Sequence, residues 1–198
     1  MGFFNYLIAQ SIKPKGLIGK FMLKTMNNAH QNLFKFGLSN IQIHENCTLL
    51  DVGFGGGKVL KMLSKQHKDI QLFGIDFSAE AVKVALKNNK KDILTGKINL
   101  QQADIEKIPF PDNYFDIITA FQTHYHWSDL PNKVKEIHRV LKPHGQFLVV
   151  AEKYKIGYHA KAYKTADEMI ELFEKIGFTD IVHKETKYNI CIKGIKVS

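Results

Sequence analysis

An α/β fold built on a mostly parallel sheet is predicted by three features of this 198-residue chain. From about residue 47, short apolar runs of strand length alternate with segments of helical periodicity. A glycine cluster stands where the first run meets the first helix, and acidic residues mark the ends of the first three runs. Length and an apolar fraction of 44% suit one domain with its own core, and a charged fraction of 24% is that of a globular chain.

Residues 47–52 are largely apolar, as a strand buried on both faces requires. After the glycines, Val59, Leu60, Met62 and Leu63 recur at helical spacing up to Gln66. Residues 70–75 form the second strand. Ser78 then caps a helix with Glu80 in its first turn and Ala81, Val82, Ala85 and Leu86 on one face. Residues 98–103 and 115–120 are the third and fourth strands. Asn132 is expected to cap a helix that turns Val134, Ile137, Val140 and Leu141 inward and stops at Pro143 and Gly145. Residues 146–151 are the fifth strand, followed by a polar, tyrosine-bearing loop. Thr165-x-x-Glu168 reads as a capping box opening a helix with Met169, Leu172, Phe173 and Ile176, which ends at Gly177. Residues 179–185 and 188–195 close the chain as two strands joined by a tight turn. The domain therefore spans 47–198, and residues 1–46 form a mostly helical N-terminal arm.

The net charge of +9 invites a nucleic-acid reading. Its distribution weakens that reading: +4 falls on residues 1–46, +3 on 47–150 and +2 on 151–198. Arg139 is the only arginine, whereas readers of bases and phosphates lean on the planar guanidinium fork. A lysine-biased, soluble surface accounts for the charge. The two cysteines, Cys47 and Cys191, are too few for zinc or iron–sulfur modules, and no metal site is indicated. No apolar run approaches the roughly 20 residues of a membrane-spanning helix, and the start lacks a secretory or myristoylation pattern. A cytoplasmic location with reduced thiols is expected, as a monomer or homodimer.

The most informative stretch is Leu49-Leu50-Asp51-Val52-Gly53-Phe54-Gly55-Gly56-Gly57, at the turn from first strand to first helix. Glycines there permit tight turns and close approach of a ligand to backbone. The dinucleotide pattern G-x-G-x-x-G would need glycine where Lys58 stands, so the spacing is D-x-G-x-G-x-G instead. The second strand ends in Gly74-Ile75-Asp76-Phe77, placing a carboxylate about 20 residues on, where ribose hydroxyls are held in this geometry. The third ends in Ala103-Asp104-Ile105. Three acids at the carboxyl ends of three strands converge on one crevice.

These segments resemble the class I S-adenosylmethionine (SAM)-dependent methyltransferases. The likeness runs from about Thr48 to Ala151 through LLDVGFGGGKVL, GIDFS, ADIEKIPFPDNYFDIITA and EIHRVLKPHGQFLVV. It implies a Rossmann-like, doubly wound, seven-stranded sheet of order 3-2-1-4-5-7-6 with strand 7 antiparallel, and SAM as cofactor. It further implies that Gly53, Gly55 and Gly57 lie against the amino-acid part of SAM, with Asp51 supporting that end. Asp76 would hold the ribose, Phe77 would pack on adenine, and Asp104 and Ile105 would address the adenine edge. Phe54 and Phe121 join this cofactor-binding set, although Phe54 departs from the small residue more usual at its position. The arm, with Lys13-Pro14-x-Gly16-x-x-Gly19-Lys20 and Met26-Asn27-x-x-His30, is similar to that of a group of small bacterial methyltransferases of this class.

The sulfonium methyl is already activated, so the protein chiefly aligns a nucleophile and, where needed, takes its proton. The candidates follow strand 4, in Phe121-Gln122-Thr123-His124-Tyr125-His126-Trp127: His126, His124 and Tyr125 are the catalytic residues expected. His30 could reach the same crevice from the arm. Tyr154, Tyr158, His159 and Tyr163 follow strand 5, where the family often builds its acceptor pocket. Phe3, Phe4, Leu7 and Ile8 suit a lid closing over SAM or a membrane contact.

No Asn/Asp-Pro-Pro-aromatic motif follows strand 4, which argues against methylation of base or glutamine amide nitrogens. No Pro-Cys nucleophile exists for cytosine C5 chemistry. A small-molecule acceptor methylated on O, N or C is the expected partner. An RNA acceptor engaged by the lysine-rich arm, and a SAM-binding protein without turnover, are the alternatives.

Overall fold

The computed structural model describes residues 30–197, so the arm residues named above, His30 excepted, lie outside it. Helix α1 (Gln31–Leu38) leads into β1 (Thr48–Val52), α2 (Lys58–Gln66), β2 (Gln71–Asp76), α3 (Ala79–Asn88), α4 (Lys90–Leu94) and β3 (Ile98–Gln102). Then come β4 (Phe115–Phe121), a 3₁₀ turn (His124–His126), α5 (Leu130–Val140), β5 (Leu141–Glu152), α6 (Lys153–His159), α7 (Ala166–Ile176), β6 (Phe178–Glu185) and β7 (Asn189–Lys196). The strands form one sheet of order 3-2-1-4-5-7-6. β1 to β5 are parallel, and β7 runs antiparallel to both β5 and β6. The architecture is the Rossmann-like one that the resemblance implies.

The apolar runs work because both faces of the sheet are covered. Leu49, Leu72 and Ile117 pack with Leu33, Phe34, Leu60 and Leu63 on one side. Leu50, Ile75 and Ile118 pack with Val134, Ile137, Leu172 and Phe173 on the other. Alternate residues of each strand thus feed two cores, the pattern of a parallel sheet wrapped by helices. The sequence caps are in place. Ser78 Oγ accepts the Ala81 N–H at 3.3 Å. Thr165 and Glu168 exchange hydrogen bonds at 3.2 and 2.9 Å, and Gly177 closes α7 in the left-handed conformation. Arg139 is consumed internally, bridging Glu136, Asp112 and the carbonyls of Ile108 and Phe110.

Four features depart from the expectation. Helix α5 begins at Leu130, not after Asn132, because Pro131 is pre-set for a first helical turn; Asn132 instead donates to Asp129 Oδ2 at 2.6 Å. Strand β5 begins at Leu141, and Pro143 and Gly145 lie in an irregularity where Phe115 faces Leu141 but Ile117 faces Gln146. Helix α6 replaces the expected polar loop. Short α4 went unread because its polar residues show no apolar period. Among the described residues no helix is long and apolar enough to cross a membrane.

Phe54 finds its place through Gly74. A Cβ at Gly74 would stand 2.6 Å from the Phe54 ring and 2.8 and 2.9 Å from Leu100 and Leu60 side chains. The large residue in the loop is therefore matched by the absence of a side chain on β2. Gly74→Ala should cost about 1–3 kcal/mol by overpacking. Phe54→Leu in the same chain should recover part of that loss, as a double-mutant cycle in urea would measure.

Candidate active site

The carboxyl ends of β1 to β4 open onto one cavity of about 270 Å³. Of the residues named from sequence, Asp51, Gly53, Phe54, Gly55, Asp76 and Phe77 line it, as do Asp104, Ile105, Phe121 and His126. Gly53 and Gly55 both have positive φ, 73° and 54°. This conformation turns their amides toward β2: Gly53 N–H donates to Ile75 O at 2.7 Å and Gly55 N–H to Asp76 Oδ2 at 2.9 Å. A Cβ on Gly53 would also lie 2.4 Å from the Thr123 methyl, so the loop is a cradle only glycine fits.

Two buried carboxylates dominate the electrostatics. Asp76 takes the Gly55 and Ser78 N–H groups, one on each oxygen, leaving further lone pairs for ligand hydroxyls. Burial raises its pKa, and the two N–H bonds oppose that rise. Asp51 accepts the Thr119 hydroxyl at 2.8 Å. Burial pushes its carboxyl up to about 7, with the Thr119 bond opposing and the Asp76 charge adding. A cation placed beside two such carboxyls would favour their ionised forms. At the outer rim Phe77 is 39% exposed, offering a ring face, and Asp104 is exposed beside the buried Ile105. This set suits SAM: hydroxyl acceptors at Asp76, close backbone approach at Gly53 and Gly55, and anionic groups for its ammonium and sulfonium.

Three residues of the expected cofactor-binding and catalytic sets lie elsewhere. Gly57, also at positive φ, abuts Asn89 and Ala85, so it packs the loop on α3 and does not touch the cavity. The tight 3₁₀ turn sends successive side chains in different directions, and of its three residues only His126 reaches the cavity. His124 is buried, with its pKa lowered to about 3 by burial and then by His126. Tyr125 is buried with its hydroxyl on Gln122 Oε1 at 3.3 Å, and burial pushes its ionisation well above the usual tyrosine range. His126 packs against His159 at 4.7 Å, and burial, then His159 and Lys155, lower its pKa to about 4. Tyr154 and Tyr158 are exposed, and Tyr163 packs into the α5–α7 core.

His30 does line the cavity, and several residues join it that the sequence did not single out. Lys133 is buried, its Nζ 3.0 Å from Glu106 Oε1 and 3.3 Å from Ser128 Oγ. Its signal was position: with Leu130, Val134 and Ile137 it falls on the inward face of α5. Gln122, at φ 60°, is buried under the cavity wall. Among the described residues no cluster of three or more His, Cys, Asp or Glu is arranged to hold a metal ion.

A family model described as "Methyltransferase domain" matches residues 50–149, half of the chain. The chain belongs to this family. It is a class I methyltransferase with S-adenosylmethionine as its cofactor. The methyltransferase YdaC of Bacillus subtilis (strain 168) is 29% identical over 153 residues, 77% of this chain and 82% of YdaC. The ubiquinone/menaquinone biosynthesis C-methyltransferase UbiE of Geotalea daltonii is 34% identical over 117 residues, 59% of this chain and 50% of that enzyme. A SAM-dependent methyltransferase structure from Aquifex aeolicus superposes with a TM-score of 0.75 at 23% identity, covering 90% of this chain and 98% of that one.

Asp51 yields a prediction of opposite sign for stability and binding. Its folded pKa of about 7 exceeds the unfolded value, so its burial destabilises the ligand-free fold progressively as pH rises to about 7 and fully above it. Asp51→Asn keeps the oxygen that accepts from Thr119 and removes the charge. At about pH 8 the ligand-free variant should melt above wild type, yet bind SAM at least about tenfold more weakly. Wild-type affinity for SAM should tighten as pH rises through about 7, which calorimetry checks.

Proposed function

We propose that the protein transfers the SAM methyl group to a small, largely apolar molecule bound in the same cavity. The observation that carries this reading is the cavity itself. The Asp51–Asp76–glycine cradle occupies one part; the rest is walled by Phe34, Phe121, His126 and Trp127, with His30, Gln122 and the paired Lys133 and Glu106 as its polar groups. Such a space suits an apolar body with few polar groups. When bound, SAM supplies a methyl on a positive sulfur, open to in-line displacement. Asp76 holds the ribose hydroxyls, Gly53 and Gly55 let backbone approach the amino-acid part, and Asp51 balances its positive charge. Ile105 and Asp104 address the adenine edge, with Phe77 on its face. Phe34 and Phe121 exclude water and align the acceptor, which contributes through proximity more than through acid–base chemistry.

His126 is the base assigned to an acceptor that must lose a proton. Its depressed pKa keeps it unprotonated at neutral pH. Residues 1–46 we read as an arm serving the 47–198 domain as a lid, in a cytoplasmic enzyme whose two cysteines are free and buried. The similarity to UbiE, a quinone C-methyltransferase by its name, favours ring acceptors in a first screen. An RNA acceptor is disfavoured by the internal engagement of Arg139.

Calorimetric titration with SAM, S-adenosylhomocysteine and NAD tests the cofactor assignment. Micromolar binding of both sulfur nucleotides and none of NAD is expected, with Asp76→Ala weakening SAM by about tenfold or more while the fold stays intact. Unchanged affinity in that variant removes the ribose assignment. For a turned-over acceptor, His126→Ala should lower kcat without altering SAM affinity, and the acid limb of the wild-type rate should fall near pH 4. An acid limb near the ordinary histidine value would clear His126 of the role.

A further inference from the structure

One end of the cavity carries a polar cluster with no part in the cofactor cradle. His30, ahead of α1, meets Gln122 after β4 and Glu152 and Lys155 at the β5–α6 junction. Lys155 Nζ lies 2.9 Å from His30 Nε2 and 2.9 Å from Glu152 Oε2. Gln122 Nε2 lies 3.2 Å from His30 Nε2 and 2.6 Å from Glu152 Oε2. The Gln122 amide is oriented by the backbone, since the Glu152 N–H donates to its Oε1 at 2.9 Å. The group facing His30 is therefore the NH₂. Glu152 Oε2 also lies 3.2 Å from His30 Nε2, but it already accepts from Lys155 and Gln122. The Lys155 ammonium, which can only donate, is the nearer neighbour. On that geometry we assign Nε2 as acceptor and the ring proton to Nδ1.

The Gln122 side chain has no donor left for a ligand. Both Gln122 amide hydrogens are engaged, and its oxygen takes the Tyr125 hydroxyl as well as the Glu152 amide. Lys155 and Glu152 balance each other in charge and stand behind the wall; His30 and Gln122 face the cavity. Among the described residues no group takes the Nδ1 proton of His30. Burial and then Lys155 lower the His30 pKa, with Glu152 opposing, so the ring is neutral at neutral pH. Phe34 and Phe121, edge to face at 5.5 Å, flank this end with apolar surface.

We propose that His30 positions the methyl acceptor by donating its Nδ1–H to an oxygen on an otherwise apolar molecule, in the tautomer that the Lys155 and Gln122 donors favour. The ligand class is a ring or chain bearing a carbonyl, enolate or phenolate oxygen. A cationic amine meets the positive end of an N–H dipole and no unpaired carboxylate. The proposal rests on reading the cavity as the joint site of SAM and acceptor.

The test uses the full chain saturated with S-adenosylhomocysteine and titrated calorimetrically with three bicyclic probes of one shape. These are 1-tetralone (a ketone), tetralin (the hydrocarbon) and 1-aminotetralin (a cation near neutral pH). The ketone should bind about tenfold tighter than either of the others. His30→Phe should abolish that preference, and His30→Asn, which keeps an N–H donor, should restore part of it. Nitrogen-15 spectra of histidine-labelled protein should show the Nδ1–H tautomer for His30, and Lys155→Met should move its protonation to higher pH. Equal or undetectable binding of the three probes, a preference that survives in His30→Phe, or an Nε2–H tautomer overturns the proposal while leaving cofactor binding intact. Failure of the wild-type chain to bind S-adenosylhomocysteine overturns the underlying reading and the proposal with it.

Discussion

Two carboxylates buried side by side, Asp51 on β1 and Asp76 on β2, set the terms for the rest of the site. Sheet register puts Asp51 opposite Gly74, so Asp76 projects two residues beyond it toward the crevice. An ionised pair in that position would be expelled or neutralised unless donors were brought to it. Thr119 from β4, the Ser78 amide and the Gly55 amide are those donors. The loop's glycines follow from this need, because the Gly55 N–H is delivered to Asp76 by a loop that turns through left-handed backbone at Gly53 and Gly55. Gly74 follows as well, since Phe54 in that loop folds back over β2. A single electrostatic requirement thus ties together residues from four segments.

On the proposed reading, the protein accepts a less stable ligand-free state in return for a cation site. Asp51 keeps its pKa near 7 because Thr119 compensates its burial only in part. A ligand carrying positive charge completes the compensation, and the gain appears as affinity instead of stability. Filling that position with an uncharged isostere would favour the fold and remove its use, the usual opposition between active-site strain and stability.

The sheet and the acids that line its crevice were legible in the sequence for a physical reason. Strands buried on both faces need unbroken apolar runs, so a carboxylate ending such a run, as at Asp51 or Asp76, stands out locally. The far end of the cavity had a weaker signal, although His30 and His126 were both expected at the crevice. Its ring of hydrogen bonds joins His30 to Lys155 across 125 residues, through side chains that alone read as surface polar groups. Within residues 124–126, composition suggested two histidines and a tyrosine alike, but only the direction of a 3₁₀ turn separates His126 in the cavity from His124 in the core. Helix α6 was hidden for a related reason: it is held by contacts to the turn and to β5 and shows no apolar stripe of its own.

The two ends of the cavity differ in charge, and the difference suits the proposed chemistry. Asp51 and Asp76 make the donor end anionic, whereas the acceptor end is neutral, with Lys155 and Glu152 cancelling and His30 and His126 uncharged. A neutral wall does not attract a second cation to compete with the sulfonium for the carboxylates. A sulfonium held beside Asp51 and Asp76 would favour their ionised forms, and its loss of charge on methyl transfer would remove that support. With its pKa near 7, Asp51 would then take a proton from solvent more readily than a carboxyl of ordinary pKa. A carboxyl with an ordinary pKa would stay ionised throughout and would stabilise the cationic reactant more than anything that follows it. On the proposed reading, the raised pKa of Asp51 would bear on turnover as well as on cofactor binding, and Thr119, the hydroxyl that opposes the rise, would tune it.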